Sequence, residues 1–197
     1  MKLIFATNNQ HKVDEIRSAI AEKFDIISLK EAGIDIDIPE PHDTIEENAS
    51  EKSQTIYKIT KANPDIIGCF SEDTGLETET LNGEPGVKSA RYAGDSKSFD
   101  KNIQKLLFNL EGKENRKARF RTVISLIIEG KETLFEGICN GIIIKEQRGE
   151  SGFGYDPVFV PDDSSRTFAE MDMSEKNLYS HRKKAAEKLV AFLNTLR

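Results

Sequence analysis

The chain has 197 residues and a formal charge of −6, with 37% hydrophobic and 31% charged residues. That length allows one substantial core or a domain of two lobes, and the composition excludes disordered, collagenous and disulfide-stapled chains. No apolar run approaches the roughly 20 residues that span a bilayer. The acidic balance argues against a nucleic-acid surface, where cationic contacts to phosphates dominate affinity. An anionic small molecule needs only a few local cations. The opening Met-Lys-Leu-Ile-Phe-Ala turns polar at Thr7 and lacks the apolar stretch of a secretory signal. Cys69 and Cys139 fall in no metal or disulfide spacing, so they read as buried free thiols in a cytoplasmic chain.

Leu3 to Ala6 predicts a short strand that passes at once into a helix, where Val13, Ile16, Ile20 and Phe24 share one face. Ile26 to Leu29 and Ile34 to Ile38 read as extended, the latter alternating Ile with Asp. Thr44-Ile45-Glu46-Glu47 fits a capping box opening a helix that runs to about Thr60. Asp65 to Phe70 predicts a buried strand ending in the polar cluster Ser71-Glu72-Asp73-Thr74-Gly75, and Asn82 to Gly86 is turn chemistry. Ser98 caps a helix with Ile103, Leu106, Leu107 and Leu110 as its stripe and Gly112 as its stop. Ala118 to Glu129 and Thr133 to Lys145 predict an antiparallel pair around Glu129-Gly130-Lys131-Glu132, with a bulge at Gly137 or Gly141. Gly149, Gly152 and Gly154 mark an irregular loop before a strand at Val158 to Val160. The chain ends in a helix with Ala185, Leu189, Phe192 and Leu196 on one face. No repeat or linker divides the chain, so residues 1–197 form a single domain. Strands interleaved with helices give an α/β fold with a mixed sheet.

Four segments carry candidate chemistry. Thr7-Asn8-Asn9-Gln10-His11-Lys12 is a strand-to-helix junction, where free N–H groups and the helix dipole attract anions. Thr7, Asn8 or Asn9 equally serves as a plain helix cap, but Lys12 places a cation against the dipole, a local conflict that suits a functional site. Glu72 and Asp73 follow a buried strand, where open α/β sheets tend to place ligands, and Mg²⁺ needs only one or two carboxylates. Glu40, between two prolines, has no structural role, whereas Asp35 and Asp37 fit a solvent face and Glu47 fits capping. Gly152-Phe153-Gly154-Tyr155-Asp156 sets aromatics beside a carboxylate, which suits stacking and edge recognition of a base, or a tight hairpin with one buried aromatic. Lys176 to Lys184 is a basic helix start that includes His181 and Arg182 and otherwise reads as a solvated face.

Phe5 to Lys12, Glu47-Asn48-Ala49, Glu72 to Leu76, Pro85 to Tyr92, Gly152 to Pro157, Ala169-Glu170-Met171 and Glu175 to Asn177 with Ser180-His181-Arg182 follow in register along the chain. Together they resemble the non-canonical purine nucleoside triphosphate pyrophosphatases, the family of inosine triphosphatase and bacterial dITP/XTP pyrophosphatase. The resemblance implies Mg²⁺-dependent cleavage of ITP, dITP or XTP to the monophosphate and pyrophosphate. It also implies an elongated mixed sheet flanked by helices, two lobes around a central substrate cleft, and a homodimer. Residue by residue, Thr7, Asn8, Asn9, Gln10, His11 and Lys12 match the triphosphate-binding motif. Asp73 matches the catalytic proton acceptor and metal ligand, Glu40 a second metal ligand, and Thr74 a substrate contact. Phe153, Gly154, Tyr155 and Asp156 match the base-binding loop, and Lys176, His181 and Arg182 match further substrate contacts. Many members have Gly at the position of Asn8 and Asp at that of Glu72.

Overall fold

The computed structural model describes residues 2–20 and 24–196. Among the described residues the sheet has seven strands: β1 (Lys2–Phe5), β2 (Asp25–Ser28), β3 (Ile66–Thr78), β4 (Pro85–Gly86), β5 (Lys117–Ile128), β6 (Lys131–Ile143) and β7 (Phe159–Pro161). They run in the order β2-β1-β3-β5-β6-β7, with β4 paired to β3. The sheet is mixed, since β1 lies parallel to β2 and β3 while β4 on β3 and β7 on β6 are antiparallel. The helices are α1 (Gln10–Ile20), α2 (Ile45–Thr60), α3 (Phe99–Asn109), α4 (Met173–Tyr179) and α5 (His181–Thr195). None of the described helices is long and apolar enough to cross a membrane. Both cysteines are buried free thiols.

The chain divides into two compact units. The first comprises Met1–Asp73, Thr122–Gly137 and Arg182–Arg197. Its sheet is covered on both faces, and strand alternation decides which residue meets which helix. Leu3 and Phe5 of β1, Phe70 of β3, and Ile124 and Leu126 of β5 join Val13, Ile16 and Ile20 of α1 and Ala185, Leu189 and Leu193 of α5. The intervening positions, Ile4, Cys69 and Ile127, join Ile56 of α2. Thr44 caps α2 by accepting the N–H of Glu47 at 3.2 Å. A two-residue turn at Glu129 and Gly130, both at positive φ (51° and 77°), joins β5 to β6.

The second unit comprises Thr74–Arg121 and Ile138–His181. Its core gathers Leu76, Ile103, Leu106, Phe120, Tyr155, Phe159 and Phe168. Ser98 caps α3 by accepting the N–H of Lys101 at 3.4 Å, and Asp172 caps α4 by accepting that of Glu175 at 2.8 Å.

Three details differ from the sequence reading. Ile34 to Ile38 form no strand: the three isoleucines pack partly buried beside the α2-side core, and their exposure alternates without a ladder. The strand read as ending at Phe70 continues through the polar cluster to Thr78, because its buried polar side chains find partners. Leu196 is exposed, and Leu193 takes the inward position on α5. Gly141 pairs with Pro161 of β7. There, a methyl group would lie 2.2 Å from the Val160 carbonyl oxygen and 2.9 Å from Pro161 Cα, so close strand approach explains the glycine.

Gly141→Ala should cost about 1–3 kcal/mol through overpacking, read as a lower urea midpoint. An unchanged midpoint would show that β6 and β7 tolerate a wider spacing. A second expectation concerns acid. Glu31 accepts hydrogen bonds from the Ser28 N–H, from Arg17 and from the Ser28 hydroxyl, at 2.7, 2.5 and 2.8 Å. These contacts hold its carboxyl down to about 2. A folded-state value below the unfolded one gives stability that is complete above about 4.5 and lost as pH falls toward about 2. The stability difference between wild type and Glu31→Gln should therefore shrink across that window, and a constant difference would refute the linkage.

Candidate active site

In the first unit, β3 carries two adjacent buried carboxylates, Glu72 and Asp73, that alternation sends to opposite faces. Phe70 and Glu72 point toward α1 and α5, while Cys69, Ser71 and Asp73 point toward α2. On the first face, Arg182 at the start of α5 donates Nε and Nη2 to the two oxygens of Glu72, at 2.6 and 3.0 Å. Its Nη1 donates to Glu15 of α1. Lys12, also on α1, reaches Glu72 Oε1 at 2.8 Å. Burial alone would raise the Glu72 carboxyl, but Arg182 and Lys12 hold it far below the carboxylate range. Glu72 is therefore a permanent anion whose oxygens are occupied by cations.

On the opposite face, Lys52 of α2 donates to Asp73 Oδ1 at 3.0 Å and to Glu40 Oε1 at 2.8 Å. Burial pushes the Asp73 carboxyl up, against the pull of Lys52 and Lys12, and the like charge of Glu40 adds to the rise. Burial disfavours the Lys52 ammonium, but Asp73 and Glu40 outweigh it and raise its value.

The junction before α1 has the geometry of a helix entrance. Asn9 Oδ1 accepts the Lys12 N–H at 3.4 Å, Thr7 Oγ1 accepts the Asn9 N–H at 3.2 Å, and Asn8 donates its amide to the Ile36 carbonyl at 2.9 Å. Gln10 donates to Asp14, and His11 is exposed. A cavity of about 540 Å³ lies elsewhere, in the second unit, and includes none of the predicted site residues. One of about 470 Å³ is lined by Thr7, Asn8, Gln10, Lys30 and Asp35.

In the second unit, Asp156 organises the glycine loop. Its Oδ2 accepts the Phe153 N–H at 2.9 Å and the Lys176 ammonium at 2.7 Å. A methyl group on Gly152 would sit 2.1 Å from that oxygen, so glycine is needed there. Lys176 Nζ lies 5.4 Å from the centre of the Phe153 ring and 5.2 Å from that of Phe168. Tyr155 donates its hydroxyl to the Ser89 carbonyl at 2.9 Å. His181 is buried and stacks on Phe120, with ring centres 4.7 Å apart. Thr74 is half-buried on β3.

A sequence profile of the Ham1 family matches residues 3–192. The chain belongs to the Ham1 family. It is 48% identical over 193 residues to a dITP/XTP pyrophosphatase of Flavobacterium johnsoniae, covering 98% of each chain. It is 45% identical over 194 residues to one of Christiangramia forsetii, covering 98% of this chain and 100% of the relative. The solved structure of the Staphylococcus aureus Ham1 protein superposes with a TM-score of 0.88 at 37% identity, covering all of both chains.

Within this Ham1-family chain, the predicted residues fall into two groups. Lys12, Glu40, Asp73 and Arg182 lie in the first unit with the Thr7 to His11 segment, and Thr74, Phe153 to Asp156, Lys176 and His181 in the second. Each of the three Arg182 side-chain nitrogens donates to a carboxylate, which fixes the guanidinium between Glu72 and Glu15. Two buried charges escaped the sequence reading. Lys52 sits on the inward stripe of α2 with Asn48, Ala49 and Ile56, and Glu15 lies beside Ile16 on α1. The available signal was a charged residue at a position that helical period assigns to the core.

Magnesium fits the Glu40–Asp73 pair. Both oxygens lie within 3.0 Å of one ammonium, so the two carboxylates already converge on a single cation. Among the described residues no group of three or more His, Cys, Asp or Glu forms a metal cage. Magnesium asks for less, since it keeps several waters and takes substrate phosphates as ligands.

Arg182→Met would leave Glu72 and Glu15 buried without their guanidinium and should cost about 3–5 kcal/mol in urea unfolding. Lys183→Met, at a partly exposed neighbour paired with Glu187, should stay within about 0.5 kcal/mol. Similar losses for both would refute the burial argument.

Proposed function

We propose that this chain hydrolyses non-canonical purine nucleoside triphosphates (ITP, dITP and XTP) to the monophosphate and pyrophosphate. The observation that carries this reading is the Asp73–Lys52–Glu40 cluster, with Lys12 on the other face of the same strand. Its support from relatives is the dITP/XTP pyrophosphatase name carried by proteins 45–48% identical over nearly the full length. The reading carries with it a magnesium-dependent, homodimeric, cytoplasmic enzyme.

Hydrolysis of a phosphoanhydride depends mainly on positioning and on neutralising charge. Lys12, the N-terminus of α1 and Lys52 supply cationic donors for the triphosphate. Glu40 and Asp73 are the residues that would hold Mg²⁺, which would supply neutralisation of phosphate charge and polarisation of the phosphorus. Asp73 orients water and accepts its proton. Glu72 takes no part as a base, because its oxygens are already bonded to Arg182 and Lys12. It holds Lys12 in place.

The base is read by residues 153–156 and Lys176. Hypoxanthine and xanthine present an oxo acceptor at position 6 where adenine presents an amino donor. A cationic donor such as Lys176 facing that atom favours the oxo base and leaves adenine badly matched. Sites that leave buried polar groups unpaired reject the wrong ligand by about 10⁴ or more. Guanine shares the oxo group, so its exclusion rests on the 2-amino group. Phe153 stacks on any purine and contributes affinity rather than choice.

Pyrophosphate release from ITP, dITP, XTP, dGTP, GTP and ATP, with Mg²⁺ and with chelator, tests this directly. Metal-dependent release concentrated on ITP, dITP and XTP is expected, and Asp73→Asn should lower kcat by about 10²-fold or more while ITP still binds. Tight ITP binding by wild type without pyrophosphate release would replace the enzyme with a nucleotide sensor, and preference for a pyrimidine would overturn the base assignment.

A further inference from the structure

We infer that Phe99 is a second aromatic wall of the base subsite, a binding residue outside every segment that carries the family resemblance. The inference rests on the reading of residues 153–156 as the base loop.

Phe99 is the first residue of α3, directly after the cap Ser98. It lies three, four and seven positions before Asn102, Ile103 and Leu106, all buried, so it belongs to the inward stripe of that helix. Yet it remains 43% exposed. A large ring at a core position and still open to solvent marks the edge of the packed interior. At that edge it meets Phe153: the two ring centres are 6.2 Å apart and their planes are inclined at 47°. This falls within the range of favourable aromatic pairs without being a parallel stack. Phe153 is fixed from behind, its N–H bonded to Asp156 and its ring within 5.4 Å of the Lys176 ammonium. Two inclined rings, one anchored and one half-open, form a wedge suited to a flat heteroaromatic. A purine laid on Phe153 presents its edge to Phe99. Because such contact is blind to the oxo and amino groups, Phe99 contributes affinity for ITP and XTP alike.

The test compares Phe99→Ala, Phe99→Leu and Phe99→Tyr in pyrophosphate release from ITP and XTP. It also measures IMP binding by calorimetry. Phe108→Ala serves as the control, since Phe108 is 74% exposed on the same helix. Phe99→Ala should raise KM for both substrates by about threefold to tenfold, and weaken IMP by a similar factor, with kcat held within about twofold. Phe99→Tyr should match wild type and Phe99→Leu should resemble Phe99→Ala. This pair decides the matter even if the alanine variant folds poorly, because both keep the bulk and only one keeps the aromatic face. A leucine variant equal to wild type, or a fall in kcat with KM unchanged, would overturn the proposal. Wild type that releases no pyrophosphate from either substrate would instead sink the functional reading itself.

Discussion

The arrangement depends on one constraint, the two-residue period of β3 where it carries adjacent carboxylates into a buried sheet. Neither Glu72 nor Asp73 can remain ionised there without a cation, since moving a carboxylate out of water costs several kcal/mol even after the protein relaxes. Alternation forces the two solutions apart. Glu72 takes Arg182 and Lys12 from the side of α1 and α5, and Asp73 takes Lys52 from the side of α2. Three helices are thereby tied to the middle of one strand by charge as well as by apolar packing.

Buried ion networks of this kind are weak net stabilisers, because Coulomb attraction largely repays desolvation and little more. A hydrophobic set of similar volume would hold the helices as well. What it would not provide is a lysine fixed beside a carboxylate. Burial also keeps the local dielectric low, which strengthens each such pair. The stability given up in burying these charges is small beside the positional control gained over Lys12 and Lys52.

Much of this was legible in the sequence, and the failures have physical causes. The caps at Thr44 and Ser98 and the core face of α1 follow from local chemistry, which the fold does not override. Ile34 to Ile38 has the alternation of a strand, but alternation reports only a half-buried extended segment and says nothing about a partner to complete the ladder. Ser71 to Gly75 looks like the end of a strand because its residues are polar. It continues because Ser71 and Asp73 each find a partner on α2. Of the candidate residues, the motif segments were readable as chemistry. Lys52 and Glu15 were not, since a charge inside a helical stripe reads as a solvated residue until its counter-ion is placed. The counter-ions lie 12 and 21 residues away for Lys52 and 167 for Glu15, all outside the helix that carries the charge.

The alternation of β3 also limits how such a site can change over generations. A point substitution at Glu72 or Asp73 leaves the direct hydrogen-bond partners on the opposite face in place. Loss of a single codon between Cys69 and Glu72 is different in kind. It would turn every later side chain of the strand to the opposite face, handing each carboxylate the wrong cation. The pairing therefore depends more strictly on the length of this stretch than on its composition.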